Sequence, residues 1–124
     1  IGYAYENIDA TSDDISQFNT FITYNTGGLT LALEYDYYDL HEGRDLMDMM
    51  ALVNYSFTDW FAATLRYTYE DDDAGSDDDL DAHRFTLALL FTVTDNLYFN
   101  TEYSHTSKDS SDDNEFYVEG LLTF

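Results

Sequence analysis

Four side chains carry a fixed positive charge, and two of them, Arg66 and Arg84, stand inside stretches where apolar and polar residues alternate. In a strand every second residue shares a face. Arg66 therefore lies with Ala62, Thr64 and Glu70, and Arg84 with Thr86 and Ala88. Glu34, Asp36, Asp48, Glu102 and Glu119 have the same parity relative to the apolar residues of their own segments. This spacing predicts two guanidinium groups surrounded by carboxylates on one face, the condition under which buried charge is tolerated. Such a constellation can serve as a salt-bridged filling of a narrow interior or as a polar constriction lining a pore. The other two cations, Arg44 and Lys108, fall in acidic loops.

The densest charge feature is the run EDDDAGSDDDLD, residues 70–81. Its carboxylates Asp71, Asp72, Asp73, Asp77, Asp78, Asp79 and Asp81 are hard oxygen donors of the kind that collect calcium or magnesium, although the order of ligands is not that of an EF-hand. A solvated loop that repels its neighbours is the plainer reading. Any bound divalent ion is expected to be weak and shared with adjacent loops or anionic lipid, and no other cofactor is expected. Clustered carboxylates also set up a negative potential that draws small cations, with a reach of about 8 Å at physiological salt.

His41, His83 and His105, with Ser104 and Ser107 nearby, raise a hydrolytic site at one rim. Hairpin register argues against it. A three-residue turn over residues 94–96 pairs Val93 with Leu97 and Phe85 with His105, which puts that imidazole on the apolar face, away from a nucleophile it would need to activate. No enzymatic activity is expected. Met47, Met49 and Met50 read as lipid-facing or packing residues. The chain has no cysteine, so disulfides and thiolate chemistry are absent. Twenty-six acidic residues against four basic give a formal charge of -22, which repels phosphate backbones and makes nucleic acid an improbable partner.

The elements that position these residues read as strands almost throughout. Phe85, Leu87, Leu89, Phe91 and Val93 share one face while Arg84, Thr86, Ala88, Thr92 and Thr94 take the other, with Leu90 the misfit. The same alternation predicts eight strands near residues 1–9, 15–26, 29–41, 46–57, 61–71, 82–93, 97–107 and 115–124. Tight turns, Gly27 Gly28, residues 58–60 and residues 94–96, alternate with longer acidic connections at 10–14, 42–45, 72–81 and 108–114. An up-and-down meander then places every tight turn at one end and every acidic loop at the other. The hairpins repeat at roughly 35 residues. With 44% hydrophobic and 18% aromatic residues in 124, the chain is predicted to fold as a single domain, residues 1–124.

The alternation alone does not say whether the apolar face points inward, as in a soluble ligand-binding barrel, or outward into lipid. The polar face does. It is rich in small residues, among them Gly2, Ala4, Thr30, Ala32, Ala62, Thr64, Thr86 and Ala88, which suit a narrow lumen better than a water-facing exterior. The bulky face carries more volume than an eight-stranded interior accepts. Tyr24, Tyr35, Tyr55, Trp60, Tyr67 and Tyr103 cluster toward strand ends, as in aromatic girdles at two membrane interfaces. The sheet with its apolar face outward also avoids a lipid-facing arginine, which costs about 2–4 kcal/mol at the midplane. An antiparallel transmembrane β-barrel is the resulting expectation.

The segments NYSFTDWFAATLRYTYEDD and LFTVTDNLYFNTEYSHT, with Thr-Asp turns between aromatic strands, resemble the hairpins of bacterial outer-membrane β-barrels of the porin type. The ending FYVEGLLTF, with Phe116, Val118, Gly120, Leu122 and Phe124 on one face, resembles the C-terminal signal read by the outer-membrane assembly machinery; Leu122 stands where a second aromatic is common. The resemblance implies a Gram-negative outer membrane, periplasmic termini, acidic loops outside, and lipid, the assembly machinery and small cations as partners. With the clustered carboxylates and the limited lumen of eight strands, the expectation is a narrow, cation-preferring pore or a structural barrel, and the resemblance equally accommodates the C-terminal strands of a larger diffusion porin.

Overall fold

The computed structural model describes residues 2–8, 13–40, 45–73, 80–108 and 111–124. Eight strands follow one another: β1 (Gly2–Ile8), β2 (Asp13–Thr26), β3 (Leu29–Asp39), β4 (Asp45–Thr58), β5 (Phe61–Asp73), β6 (Leu80–Thr94), β7 (Leu97–Lys108) and β8 (Ser111–Leu122). They form one antiparallel sheet whose spatial order is the sequence order, an up-and-down meander. Period-two alternation and an abundance of aromatic and β-branched residues account for the strands. Among the described residues no helix is long and apolar enough to cross a membrane, which has no bearing on strands.

The acidic ends depart from expectation. Residues 108–114 were expected to form a loop, yet Lys108 pairs with Ser111, Ser107 with Asp112 and Thr106 with Asp113. Lys108 is thus a strand residue rather than a loop residue. Asp71, Asp72 and Asp73 belong to β5 and Asp81 to β6, with Asp71 opposite Asp81. Low strand propensity of Asp and Ser marks loops in isolation, but an adjacent strand supplies a hydrogen-bonding template that overrides it. Arg44, Asp77, Asp78 and Asp79, and also His41, lie outside the described residues.

The tight turns are each two residues long. Thr58 pairs with Phe61 and Thr94 with Leu97, and the register shifts just before each threonine, so Phe57 and Val93 are bulged. Val93 therefore does not pair with Leu97. The threonine hydroxyls accept the turn amides of Trp60 and Asn96, each at 3.3 Å, a side-chain mimic of a backbone turn. One bulge and one residue fewer in the turn cancel, which is why Phe85 still faces His105. In the first tight turn, Gly27 adopts φ 56°, a left-handed conformation that glycine takes without penalty.

The sheet is open. Among the described residues β1 pairs only with β2 and β8 only with β7, so the expected pairing of the first strand with the last is not formed. Nor is there an apolar core: no described apolar side chain is buried, and the two buried side chains are Thr86 (3% exposed) and Ser104 (0%). What the sheet encloses is polar.

Candidate functional site

Register assigns every predicted lumenal residue of the described strands to one face. Asp36 lies opposite Asp48, and Asp48 opposite Glu70; Glu34 lies opposite Met50; Arg66 lies opposite Thr86, and Thr86 opposite Ser104. Glu102 and Glu119 occupy the same face on β7 and β8, opposite Ala88 and Asn100. The small side chains at Thr86 and Ser104 let the neighbouring charged groups close over them, and their hydroxyls are 3.0 Å apart.

Both strand arginines find carboxylates there. Arg66 Nη2 is 3.7 Å from Glu102 Oε1, and Arg84 Nη2 is 2.7 Å from Glu115 Oε2. Ser104 also donates to Glu102 at 3.4 Å, and the Tyr117 hydroxyl to Glu115 at 3.2 Å. Two small networks result, one of Arg66, Glu102, Ser104 and Thr86, the other of Arg84, Glu115 and Tyr117. Arg84 Nε is enclosed without an acceptor among the described residues. Sequence reading missed Glu115, Ser104 and Tyr117 as members; their parity with Glu119 and Glu102 was the available signal.

The remaining predicted carboxylates form a second cluster on β3 to β5. Asn19 Nδ2 donates to Glu34 at 2.9 Å and to Asp36 at 2.7 Å. Asp36, Asp48 and Glu70 stand directly opposite one another across three strands, an arrangement in which like charges repel. Among the described residues, none of these four carboxylates stands in an ion pair. Arg66 and Arg84 are thus matched by β7 and β8, leaving a surplus of negative charge on the β3–β5 side of the same face. Glu119 accepts from Asn100 Nδ2 at 3.4 Å.

Of the acidic run, Asp71, Asp72, Asp73 and Asp81 lie within the described residues. Asp71 and Asp81 share the apolar face while Asp72 takes the opposite one beside Leu80 in register. Among the described residues, no group of three or more acidic or imidazole side chains is placed to hold a metal ion.

The other face is apolar and open. Leu65 is 54% exposed and Phe116 67%, and Ile22, Leu33, Val53, Leu87 and Val118 are likewise exposed. Where Ala51 leaves room between Leu33, Met49 and Tyr67, a shallow apolar groove of about 310 Å³ forms. The predicted girdle residues do not all reach strand ends: Tyr24, Tyr55 and Trp60 stand near the tight turns, while Tyr35, Tyr67 and Tyr103 start from mid-strand positions. Near the tight turns, Tyr55 packs edge-on against Phe57 at 4.9 Å, and Phe57, Phe61 and Phe91 stack at 5.3 and 5.2 Å with Trp60 alongside; Tyr24 is at the same end. Toward the acidic end Tyr67 bonds His83 Nδ1 at 2.8 Å, while Tyr103 and His105 both reach Asn114 Oδ1. Tyr35 packs on Phe18 between the two. His105 is on this face, opposite Phe85, as register required.

One sequence expectation about side-chain size needs correction. Met50 is on the polar face beside Glu34, unlike Met47 and Met49. That face also carries Phe21, Leu52, Leu90, Tyr98 and Tyr117, so it is less uniformly slender than the small residues alone suggested. Of the terminal apolar positions, Phe116, Val118, Gly120 and Leu122 line the apolar side of β8, with the Phe99 ring lying over Gly120.

No protein-family model matches the chain, and no curated protein matches it.

Proposed function

We propose that the chain is an outer-membrane porin-like β-barrel whose polar face lines a narrow, cation-preferring path. The observation that carries this reading is the segregation of the two faces. The described apolar side chains of the sheet stay accessible to their surroundings, most of them on one face, while the strand arginines are ion-paired on the other, which holds the two buried side chains, Thr86 and Ser104. Water is a poor environment for an open apolar sheet of this size, whereas hydrocarbon is a good one. A strand edge cannot remain unpaired in hydrocarbon, so the reading requires β1 and β8 to be covered, by each other or by further strands.

Cation preference follows from the unmatched carboxylates Glu34, Asp36, Asp48 and Glu70. They face the same space as two neutralised arginines, so a diffusing cation meets a net negative wall. The direct test is reconstitution into planar bilayers with a salt gradient. A reversal potential favouring potassium over chloride is expected, and Arg66→Ala is expected to enlarge conductance. Absence of any channel, with the protein folded in the bilayer, would remove the pore and leave a structural barrel.

A larger diffusion porin is the second reading, favoured by the open sheet and by the bulk of Met50, Leu52, Leu90 and Tyr98 on the polar face. An eight-stranded cylinder has space only for side chains that fill it. The chain lacks cysteine, so one thiol placed in β1 and one in β8 provide a clean cross-linking test. Efficient disulfide formation supports closure of these eight strands on themselves; its absence favours additional strands between them.

A further inference from the structure

We propose that the acidic end of the polar face holds a binding site for small zwitterions of the amino-acid type, built across β5 to β8. A concavity of about 520 Å³ opens there, within the size range of small-molecule sites. Two adjacent rows of the register form it. In one, Thr68, Arg84, Thr106 and Asp113 stand side by side; in the next, Glu70, Ala82 and Lys108 do, and Glu115 completes the wall beside Arg84.

The second row sets the chemistry. Glu70 and Lys108 flank Ala82, and two strand spacings separate their backbones by about 10 Å. Between them the wall is one methyl group, so nothing blocks a small solute from lying on it. Among the described residues neither Glu70 nor Lys108 is in an ion pair, and neither is Asp113. Arg84 belongs to Glu115 at 2.7 Å and backs the cavity as a neutralised group. Among the described residues the space therefore presents one unmatched ammonium, that of Lys108, with the unmatched carboxylate of Glu70 across Ala82 and that of Asp113 in the adjoining row.

A simple anion attracted to Lys108 meets Glu70 and Asp113. A simple cation attracted to those carboxylates meets Lys108. A zwitterion satisfies both sides at once, its carboxylate on Lys108 and its ammonium on Glu70, while the hydroxyls of Thr68 and Thr106 offer hydrogen bonds along the floor. This inference uses the polar face as a wall that solutes reach from the acidic end; it does not depend on conduction.

The test is amide NMR of the whole chain in detergent micelles, titrated at constant ionic strength with alanine, acetate or methylammonium. Saturable shifts at Thr68, Ala82 and Thr106 are expected with alanine, and binding about fivefold weaker with either single-charge solute, a difference of about 1 kcal/mol. Lys108→Gln and Glu70→Gln are each expected to weaken alanine binding by a similar factor while the β2 and β3 amides keep their positions. Equal, unsaturating shifts with all three solutes overturn the proposal, and that comparison on the unaltered chain stands even if a variant misfolds. Binding without channel activity would retain this site and discard the pore; channel activity without binding would do the reverse.

Discussion

Thr86 and Ser104 are the residues on which the polar face closes. Their hydroxyls meet at 3.0 Å with almost no exposure, so removing one strands the other in a dry place, at about 1–3 kcal/mol. Thr86→Val is expected to cost about 1 kcal/mol, because Ser104 keeps its long bond to Glu102. Ser104→Ala should cost a similar amount, and the double variant less than the sum, since two matched apolar groups leave no orphan. Urea unfolding of the four proteins in one lipid composition measures this coupling. The ion pairs are about one-third exposed and contribute modestly. Glu115→Gln, which breaks the 2.7 Å contact with Arg84, is expected to destabilise more than Glu102→Gln, whose contact is 3.7 Å, each by under about 1 kcal/mol. Parity alone placed Arg66, Arg84 and the six predicted carboxylates on one face. It did not say which carboxylate each arginine takes, because side chains reach diagonally across strands and that depends on sheet twist.

Among the elements, the hairpin of Gly27 and Gly28 separates two uses of glycine. Gly27 supplies the left-handed turn. At Gly28 an added methyl would sit 2.8 Å from the Ser56 carbonyl oxygen, and the Ser56 amide donates to the Gly28 carbonyl at 2.8 Å. Gly28→Ala is therefore expected to push β3 and β4 apart at the turn and to raise amide exchange at Ser56. Gly27→Asn, which tolerates the left-handed region, should leave that exchange unchanged. The glycine pair was legible as a turn, but the approach of a third strand to Gly28 was not, because it comes from residues 28 positions away. Strand cores were legible for a complementary reason: alternation persists through them without interruption. Strand ends were not, since ladders continue through Asp and Ser wherever a neighbouring strand offers partners. The bulges at Phe57 and Val93 escaped because a shorter turn plus a bulge reproduces the register of a longer turn.

At the level of the whole molecule, a formal charge of -22 and two chemically distinct faces make two measurable statements. The first concerns Trp60, the single tryptophan, exposed beside the stacked phenylalanines near the tight turns. In vesicles containing brominated lipids its fluorescence is expected to be quenched, most strongly by bromines close to the headgroups; emission at long wavelength with no quenching would contradict the membrane reading, and a chain that stays monodisperse in plain buffer would favour a soluble barrel. The second concerns salt. Because the screening length falls from about 8 Å at 0.15 M to about 3 Å at 1 M, potassium selectivity should be clear in dilute electrolyte and largely lost in concentrated electrolyte. Meander topology and face assignment were readable from period-two patterning alone. Closure was not, because it depends on whether β1 and β8 meet, and no alternation of residue types encodes that meeting.

On the outer-membrane reading proposed above, the flank of β8 that is unpaired among the described residues carries a cost before any bilayer is reached. Along Ser111–Leu122 every second residue offers its backbone donor and acceptor to the open side, with Phe116, Val118 and Leu122 beside them, and such a margin recruits other extended peptides. On that reading a freshly made chain in aqueous transit is an adhesive ribbon, and an escort that masks this margin is required. In vitro the corollary is kinetic: refolding yield should fall steeply as protein concentration rises, and substituting lysine for Val118 should lessen that dependence.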